Sequence, residues 1–426
     1  MTAFIRSWLV MASVTLFSSW AWAQAPQFEG FAPGWGVQYN AGHQPPDTAP
    51  GPEYELLPEN RTPWYDLDSQ FELNLRDMVA ESWVKVEYLQ ASFQKPGDSL
   101  LGAPLANVAN PRDPFFVSAG DASGIQTVVP DTSRLDLDAN NGVRTTIGMS
   151  AFRDFSVVVS YVGIQDMSSD FTLTPSTLDP TLFPNAVRFY ATSVLDAGAL
   201  GSRVILYDRL FEVDYAAKYW SGEVNLIYKS HGPRTGFRIQ PIIGFRYNSY
   251  DEDLIQHGSF DNSSGVDATL GTFATPTRNT ILSDTQNTLY MGQLGFQAEL
   301  VDDWFTIGVA PKIAAGANIV RTHVLTSDLR DSTIAELAND GVTSIRQQNV
   351  IVGSNLDLNA YLKIKVNPWL SLTGSAYYWY MPNVARAHDT ISYNDLGIDV
   401  APAFRPQLKT NSMGIHGFTV GAEVTF

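Results

Sequence analysis

The chain has 426 residues, of which 44% are hydrophobic and 17% charged, and its formal net charge is −17. It contains no cysteine, which excludes a disulfide framework and any thiolate zinc site. The acidic balance, with no basic stripe along the chain, excludes nucleic acid as a partner.

Residues 1–23 have the pattern of a signal peptide. Arg6 supplies a positive charge, Trp8 to Trp20 is apolar, and the residues up to Ala23 have the small-x-small form of a cleavage site. Cleavage would leave Gln24 as the mature N-terminus. The alternative, an N-terminal membrane anchor, is disfavoured because the apolar stretch is short. Residues 24–81, Pro- and Gly-rich up to residue 63, are predicted as a periplasmic N-terminal extension, and residues 82–426 as the membrane domain.

Beyond residue 23 no run of about 18 apolar residues exists, so the sequence predicts no membrane-spanning helix. Apolar and polar side chains instead alternate at every second residue in ten segments. In a transmembrane β-strand the apolar residues face lipid and the polar or small residues face the lumen. The alternation therefore predicts an all-β fold, a transmembrane up-and-down antiparallel β-barrel of ten strands. The ten segments are Trp83–Phe93, Val143–Met149, Phe155–Tyr161, Leu210–Ser230, Phe237–Tyr247, Leu289–Leu300, Phe305–Ile319, Gln348–Val366, Leu370–Tyr380 and Gly417–Phe426.

The segment Leu210–Ser230 is the least regular of these. Its apolar residues change parity near Ala216-Ala217, which predicts a β-bulge in one long strand rather than a turn between two strands. A barrel of twelve strands is the alternative if Val187–Leu195 and Arg203–Tyr215 also cross the membrane. Otherwise these two segments form an extracellular hairpin at the rim.

Connections between the predicted strands fall into two sizes that alternate along the chain. Short ones such as Val301–Asp303 follow long ones such as Asp251–Asn287. Outer-membrane barrels have short periplasmic turns and long extracellular loops, so both chain ends are predicted on the periplasmic side. A soluble secreted β-sandwich, the rival architecture, would have shorter strands and short connections at both ends.

The last ten residues form the clearest alternating strand, with apolar residues on one face and polar or small residues on the other. An amphipathic strand that ends in phenylalanine resembles the terminal signal of outer-membrane barrels. We therefore expect the barrel-assembly machinery and outer-membrane lipid as partners. The apolar face consists of Phe418, Val420, Ala422, Val424 and Phe426.

Charged residues of both signs occupy the predicted lumen face. A charge inside a small barrel must be paired or hydrated. Either the charges line a narrow pore that steers ions, or they form an internal salt-bridge network that fills the lumen. The residues are Lys85, Glu87, Arg144, Arg238, Arg246, Glu299, Lys312, Asp357, Lys363, Lys365 and Glu423.

Several strings, such as WVKVEYLQASF at Trp83–Phe93 and IIGFRYNSYDEDL at Ile242–Leu254, resemble the planctomycete outer-membrane family called beta-barrel protein family seven. The resemblance covers about Trp83 to Phe426 and departs from the family at Gln90-Ala91, where an aromatic pair is expected. It implies an outer-membrane barrel and implies no activity. The matching motif residues are Gly244, Arg246, Asn287, Tyr290, Gly292, Gln293, Gly295, Arg386, Asp389 and Ile391.

An outer-membrane hydrolase with a loop carboxylate/His site is the alternative function. His388-Asp389 in the last long loop and Asp251–Asp253 carry the residue types for such a site. Adjacent residues on a strand rarely face each other, and neither a Gly-x-Ser-x-Gly nor a His-Glu-x-x-His motif occurs. We therefore predict no catalytic residue.

The string Asp136-x-Asp138-x-Asn140 resembles the start of a calcium loop, but Gly142 comes one place late and Ile147 stands where a bidentate acid is needed. No metal site or cofactor is predicted, and acidic loops are expected to bind divalent cations weakly at most. The predicted function is that of an integral outer-membrane barrel, serving as a narrow pore or in a structural or loop-mediated surface interaction.

Overall fold

A computed structural model describes most of the predicted membrane domain. The predicted signal peptide and N-terminal extension lie outside the described residues. In the part that is described, no helix is long and apolar enough to cross a bilayer. The described ranges are 82–105, 108–116, 124–152, 154–178, 187–196, 201–229, 235–263, 276–329, 342–395 and 404–426.

Ten antiparallel strands form a ring in which each strand is hydrogen-bonded to two neighbours. Strands that follow each other in the chain pair with each other, and the last pairs with the first from Trp83↔Thr425 to Phe93↔Ile415. The prediction of an up-and-down antiparallel barrel of ten strands is confirmed, and the β-sandwich alternative is wrong. The strands are β1 (Trp83–Phe93), β2 (Asn140–Phe152), β3 (Phe155–Leu173), β4 (Leu210–Tyr228), β5 (Gly236–Phe260), β6 (Thr277–Val301), β7 (Phe305–Val309 and Lys312–Ser327), β8 (Val342–Asn367), β9 (Leu370–Ala385) and β10 (Thr410–Thr425).

The interruption of β7 falls at Ala310-Pro311, since proline has no N–H to donate to the ladder. The Ala310 N–H donates to the Asn359 carbonyl at 2.8 Å, and the Pro311 carbonyl accepts from the Phe296 N–H at 3.2 Å. Both halves of β7 pair with β6 and β8, so the ring is continuous through the break.

Short connections lie at one end of the ring and long ones at the other, as predicted. Residues 302–304 separate β6 from β7, and residues 368–369 separate β8 from β9. The beginning of β1 and the end of β10 lie at this same end, which we call the inner end. The long connections lie at the outer end.

An apolar belt surrounds the half of the ring nearer the inner end. Its outward side chains, such as Val224, Ile243 and Leu294, are 48%, 55% and 56% exposed. Only a lipid environment makes so much contiguous exposed apolar surface favourable, since soluble proteins rarely expose patches of this size. The residues of the belt are therefore the membrane-spanning segments.

Aromatic side chains border the belt on both sides. At its outer edge Tyr161, Trp220, Tyr247 and Tyr290 contact one another in succession across β3 to β6, with ring centroids 6.5, 4.6 and 5.1 Å apart. At its inner edge the Phe155 and Tyr228 rings, the Trp304 and Phe305 rings, and Trp369 play the same part. Such girdles mark the two membrane–water interfaces of transmembrane barrels.

The strands continue beyond the outer girdle, and there the polarity of their two faces reverses. In the belt, β4 turns Val224 outward and Asn225 inward. Above the belt the same strand turns Asp214 outward and buries Val213 and Tyr215 inside the ring. Because lipid surrounds the belt and water surrounds the extension, the apolar face must move from the outside to the inside. β8 reaches 26 residues in this way.

The predicted bulge near Ala216-Ala217 is wrong. Pairing between β4 and β5 runs without a shift from Leu210↔Ser259 to Ile227↔Ile242. The change of apolar parity reflects the change of solvent around an uninterrupted strand. The irregularity lies in the neighbouring strand, where β3 carries an extra residue against β4 between Ile164 and Met167.

A second, five-stranded sheet, which we call the cap sheet, covers the outer end. Its longest strand pairs with two segments in parallel and with a third in antiparallel orientation. Tyr207 of this sheet packs against Gly258 of β5, where a Cβ atom would lie 2.0 Å from the tyrosine ring. The segments considered as two extra membrane strands thus belong partly to the cap sheet and partly to β4. The cap strands are Phe115–Phe116, Ile125–Val128, Val187–Asp196, Gly201–Tyr207 and Asn394–Asp395.

The reversal of polarity predicts different costs for one substitution at two outward positions of β4. Val224→Arg places a guanidinium at mid-belt and should lower the free energy of unfolding from bilayers by about 2–4 kcal/mol. Ala216→Arg lies on the same face above the girdle and should change it by less than about 0.5 kcal/mol. Denaturant titration in phospholipid vesicles measures both, and equal costs would contradict the assigned position of the belt.

Candidate functional site

A water-accessible vestibule of about 610 Å³ occupies the interior of the ring at the level of the belt. It is lined by side chains that point inward from all parts of the ring. Ten of the eleven predicted lumen charges line it, and Lys365 does not. The Lys365 ammonium lies at the inner rim, where it donates to the Asp302 carbonyl at 3.0 Å.

The largest cluster of charges joins two acids and two bases. Arg246 donates to Glu223 Oε2 at 2.6 Å and also contacts the Asp357 carboxylate. Lys312 Nζ lies 2.8 Å from Glu223 Oε2 and 3.1 Å from Asp357 Oδ2. Gln293 donates to the same Glu223 oxygen at 3.1 Å. The cluster is electrically neutral and spans four strands, so it cross-links the ring through its interior.

The remaining lumen charges also pair with one another, within one strand or between strands. Lys85 lies 3.1 Å from Glu87, which accepts a hydrogen bond from Thr419 at 3.0 Å. Arg238 pairs with Glu299 and Lys363 pairs with Glu423. Buried charges of opposite sign compensate one another in this way. The interior is thus a salt-bridge network around a vestibule.

Aromatic rings close the vestibule at its outer side. Tyr219 and Trp379 stack with centroids 5.6 Å apart, and Trp379 stacks on Tyr377 at 4.5 Å. The Arg144 guanidinium lies 5.4 Å from the Tyr377 ring centroid and 5.5 Å from that of Trp379. Beyond these rings the interior is filled by an apolar core that includes Phe93, which stacks on Tyr250.

A buried stretch of chain, residues 384–391, begins at the last two residues of β9 and passes through this core, and we call it the plug segment. Its first charged residue, Arg386, is 1% exposed and donates from Nε to Glu252 Oε1 of β5 at 2.7 Å. The other Glu252 oxygen accepts from the Ala387 N–H at 2.8 Å. The Tyr215 hydroxyl accepts from Arg386 at 3.2 Å, and Tyr250 donates to Glu252. One carboxylate therefore anchors both the side chain and the backbone of the plug.

Strands β6 and β7 hold the plug segment from the other side. Asn287 donates to the Ala385 carbonyl at 2.8 Å and accepts from the Ala385 N–H at 2.8 Å, as a neighbouring strand would. Asn318 donates to the Asn383 carbonyl at 3.1 Å. The Thr390 hydroxyl lies 3.0 Å from the hydroxyls of Ser283 and Thr285. Side chains thus satisfy backbone groups of a segment that is no longer paired with β8, as buried polar groups require.

Two carboxylates of this region have lowered pKa values. Burial raises the pKa of Glu252, but Arg386, His388 and the tyrosine hydroxyls outweigh it, and the pKa lies below its usual range. Burial likewise opposes ionisation of Asp389, whereas contacts with His388, Lys409 and Asn411 hold its pKa well below the usual range. Both groups are therefore charged at neutral pH.

The residues considered for a hydrolase are not arranged for one. His388 and Asp389 are adjacent, with Nε2 3.4 Å from Oδ2, but both side chains are buried in the plug segment. Asp389 is further engaged by Lys409 Nζ at 2.6 Å. Asp251 and Asp253 point outward from β5 while Glu252 points inward, so the three carboxylates do not converge.

The acidic side chains of the segment resembling a calcium loop are paired with a lysine from another part of the chain. Lys95 Nζ lies 3.1 Å from Asp136 and 3.8 Å from Asp138. Among the residues that the structure describes, no group of three or more acidic or histidine side chains could hold a metal ion.

The structure brings four of the ten family-motif residues into two contact groups. Arg246 and Gln293 meet at Glu223 in the lumen, while Asn287 and Arg386 hold the plug. The other motif residues pack around these groups or lie on the outer face. Gly244 approaches Asn225, and Gly295 approaches the Pro311 carbonyl. Asp389 and Ile391 are buried residues of the plug segment itself, and Tyr290 and Gly292 face lipid.

Sequence reasoning missed several residues of this interior. Glu223 alternates with Val224 and was therefore visible as a lumen residue in the pattern of β4. Nothing in the local sequence identified Glu252 as the anchor of the plug, because its partner Arg386 lies 134 residues further along the chain. The C-terminal apolar face lies as a row on the outside of β10, with Phe418 and Val420 among the exposed side chains and Phe426 just beyond the strand.

The family model of beta barrel porin-7 matches residues 83–426 of this chain. Among solved structures, the outer-membrane protease OmpT of Escherichia coli is 9% identical, with a TM-score of 0.42 over 82% of this chain and 97% of OmpT. The attachment invasion locus protein Ail of Yersinia pestis is 8% identical, with a TM-score of 0.24 over 82% of this chain and 100% of Ail. A FadL homologue of Pseudomonas aeruginosa is 11% identical, with a TM-score of 0.25 over 81% of this chain and 90% of that protein. No curated protein matches the sequence.

Breaking the buried Arg386–Glu252 pair should destabilise the barrel. Arg386→Met or Glu252→Gln leaves the partner group buried without its counter-charge, which typically costs about 3–5 kcal/mol. The double variant should cost less than the sum of the two, because the second change removes an already unpaired charge. Unfolding temperatures from heat-modifiable migration in SDS gels measure this, and additive effects would contradict a direct pair.

Asp389 gives a prediction on pH. Its lowered pKa means that its contacts contribute fully to the free energy of unfolding above about pH 4 and lose this contribution as pH falls through the lowered value. The difference in stability between the wild type and Asp389→Asn should therefore be constant near neutral pH and shrink in acid. A difference that grows as pH falls would contradict the assignment.

Proposed function

The chain belongs to the beta barrel porin-7 family, and from this premise we propose that it is an outer-membrane barrel that does not conduct solutes and that holds a folded cap at the outer surface. The family is named after porins, which suggests passage of solutes. The interior of this chain supports a structural and surface-interaction role instead.

The observation that carries this proposal is the buried plug segment. A diffusion pore needs a continuous water-filled path, and here the path from the vestibule meets stacked aromatic rings, an apolar core and then the plug. Arg386, Ala385 and Thr390 are each held by side chains of the barrel wall. Barrels of about eight strands are just filled by side chains, while open porins have about 16–18 strands, so ten strands lie near the filled end.

The charges of the vestibule support the same reading. In a channel that steers ions, charges of one sign line the path and remain available to the ion. The Glu223, Arg246, Lys312 and Asp357 side chains instead neutralise one another. The contacts of Lys312 with Glu223 and of Arg246 with Asp357 join strands that are not neighbours in the ring, so the cluster stabilises the barrel from the inside.

The cap sheet supports a surface role. It has its own small apolar cluster, in which Phe189, Ala191 and Leu206 are fully buried. Other cap residues, including Tyr190 and Val194, pack on the core inside the ring. The cap is therefore a folded layer fixed to the barrel, and its outer face is the part that a partner outside the cell would meet.

A hydrolase is not favoured by the geometry. The His388-Asp389 pair is buried, and the hydrogen bonds of Asp389 to Lys409 and Asn411 occupy its carboxylate. A substrate could reach this pair only after the plug segment had left the barrel.

Single-channel recording in planar bilayers tests the proposal. We expect the wild-type barrel, shown to be inserted by heat-modifiable migration, to give no steady conductance, because the plug and the aromatic rings block the lumen. A variant that lacks residues 386–409 and carries Trp379→Ala should conduct.

A deletion of residues 331–340 between β7 and β8 is the matched control, and it should remain silent. Steady wild-type currents would overturn the proposal. If the variant that lacks residues 386–409 does not insert into the bilayer, the wild-type recording alone tests the proposal.

A further inference from the structure

The outer face of the barrel wall around β6, β7 and β8 contains two recesses, one above the other. The lower recess, of about 400 Å³, is apolar and is bordered by Leu294, Ile313, Leu356 and Tyr380. The upper recess, of about 650 Å³, is polar and lies beyond the outer girdle. Neither recess belongs to the vestibule or the plug.

Strand register places the two recesses on opposite sides of the outer girdle. Gly292, Ala315 and Ser354 form one row across the three strands in the lower recess. Gln286, Arg321 and Gln348 form the corresponding row in the upper recess, six positions along each strand. Six residues span about 20 Å along a strand, which is about 15 Å along the membrane normal for strands tilted by about 40°. The girdle residue Tyr290 lies between the two rows on β6, so the lower row faces the hydrocarbon and the upper row lies beyond the girdle.

The outer face of β7 connects the two recesses. Between the two rows it carries the apolar residues Ala317 and Ile319, and the neighbouring side chains are Tyr290 on β6 and Val352 on β8, which are 44% and 70% exposed. Gly292 has no atom within 4 Å of the position of a Cβ. We call this apolar surface, which leads from the upper recess down to Ala315, the channel.

Two arginines lie on one side of the upper recess without a carboxylate partner among the described residues. Arg321 donates to Gln286 Oε1 at 3.0 Å and to Gln348 Oε1 at 3.3 Å, and both acceptors are neutral amides. Arg346 lies next to Arg321 in the same recess and makes no ion pair in the described part of the chain. A guanidinium held by amides keeps its full charge for a phosphate.

Carboxylates lie on the other side of the same recess. Asp253 of β5 and Asp284 of β6 stand directly opposite each other, with Asp251 beside them. Like charges in opposed positions repel, and burial and the Asp284 charge raise the pKa of both Asp251 and Asp253. The nearby Lys218 is paired with Asp166 at 2.9 Å. A cationic group entering this side would relieve the repulsion.

We propose that this surface binds one phospholipid with a zwitterionic, ammonium-bearing headgroup. The phosphate lies on Arg321 and Arg346, the ammonium group on Asp253 and Asp284, and one acyl chain in the channel over Ala315. The separation of cationic and anionic side chains within one recess matches the two charges of such a headgroup, and the apolar channel supplies the chain site below it.

Native mass spectrometry of the intact, detergent-released protein tests the proposal. Phosphatidylethanolamine, phosphatidylcholine and phosphatidylglycerol are added separately, the last with and without Mg²⁺. We expect one phosphatidylethanolamine to be retained in preference to the other two. Arg321→Gln with Arg346→Gln should weaken retention by about tenfold or more, since charge-assisted hydrogen bonds to the phosphate are lost.

Two further variants separate the parts of the site. Asp253→Asn with Asp284→Asn should abolish the preference for the ammonium headgroup and shift it toward phosphatidylglycerol. Ala315→Leu should reduce retention of every lipid by filling the channel. Arg278→Gln, which alters an arginine on the same face of β6 outside the recess, is the matched control and should change nothing.

A wild type that prefers phosphatidylglycerol with Mg²⁺, or that retains all lipids equally, would overturn the proposal. So would retention that is unchanged in the double arginine variant. These outcomes are independent of the conductance measurement, because the lipid lies outside the ring.

Discussion

Inside a bilayer no water is available to the backbone, so each N–H and C=O of a spanning strand has to bond to a neighbouring strand. In this chain the requirement is met by pairing β10 with β1, which leaves the ring without a free edge. The rest of the architecture follows from that closure. Side chains at alternate positions must face lipid, and the other half must share a narrow interior. That interior has to be made compatible with charged and polar groups along its whole length.

The interior is filled in two ways that match the two surroundings of the barrel wall. At the level of the belt the outer face takes the apolar residues, and the inside holds the compensated charges around Arg246. Above the belt the wall stands in water, and apolar residues such as Val213 and Leu254 turn inward to form a core like that of a soluble barrel. The plug segment packs against this core. Its charged residue Arg386 is tolerated there because Glu252 and two tyrosines surround it.

Alternation along single strands was enough to predict ten strands, their order and the short and long ends, because these properties depend on period and spacing. It was also enough to place charges such as Lys312 and Asp357 on one face. The bulge predicted near Ala216 was wrong because alternation reports which face is apolar and not what surrounds it. The plug could not be predicted, since contacts such as Arg386 with Glu252 and Ala385 with Asn287 join residues about a hundred positions apart. The same long-range folding buries His388, which local sequence had placed in an exposed loop.

The pairing of Trp83 with Thr425 has a consequence for the order of assembly. The first strand of the ring can find its final neighbour only when the last strand has been delivered, so the seam between β1 and β10 closes at the end of folding. The plug lies in the connection between β9 and that last strand. Contacts between residues far apart in sequence form slowly, because the chain loses the entropy of the closed loop before the contact stabilises it. Both the sealing of the seam and the filling of the interior by the plug therefore depend on the C-terminal part of the chain, from residue 384 onward.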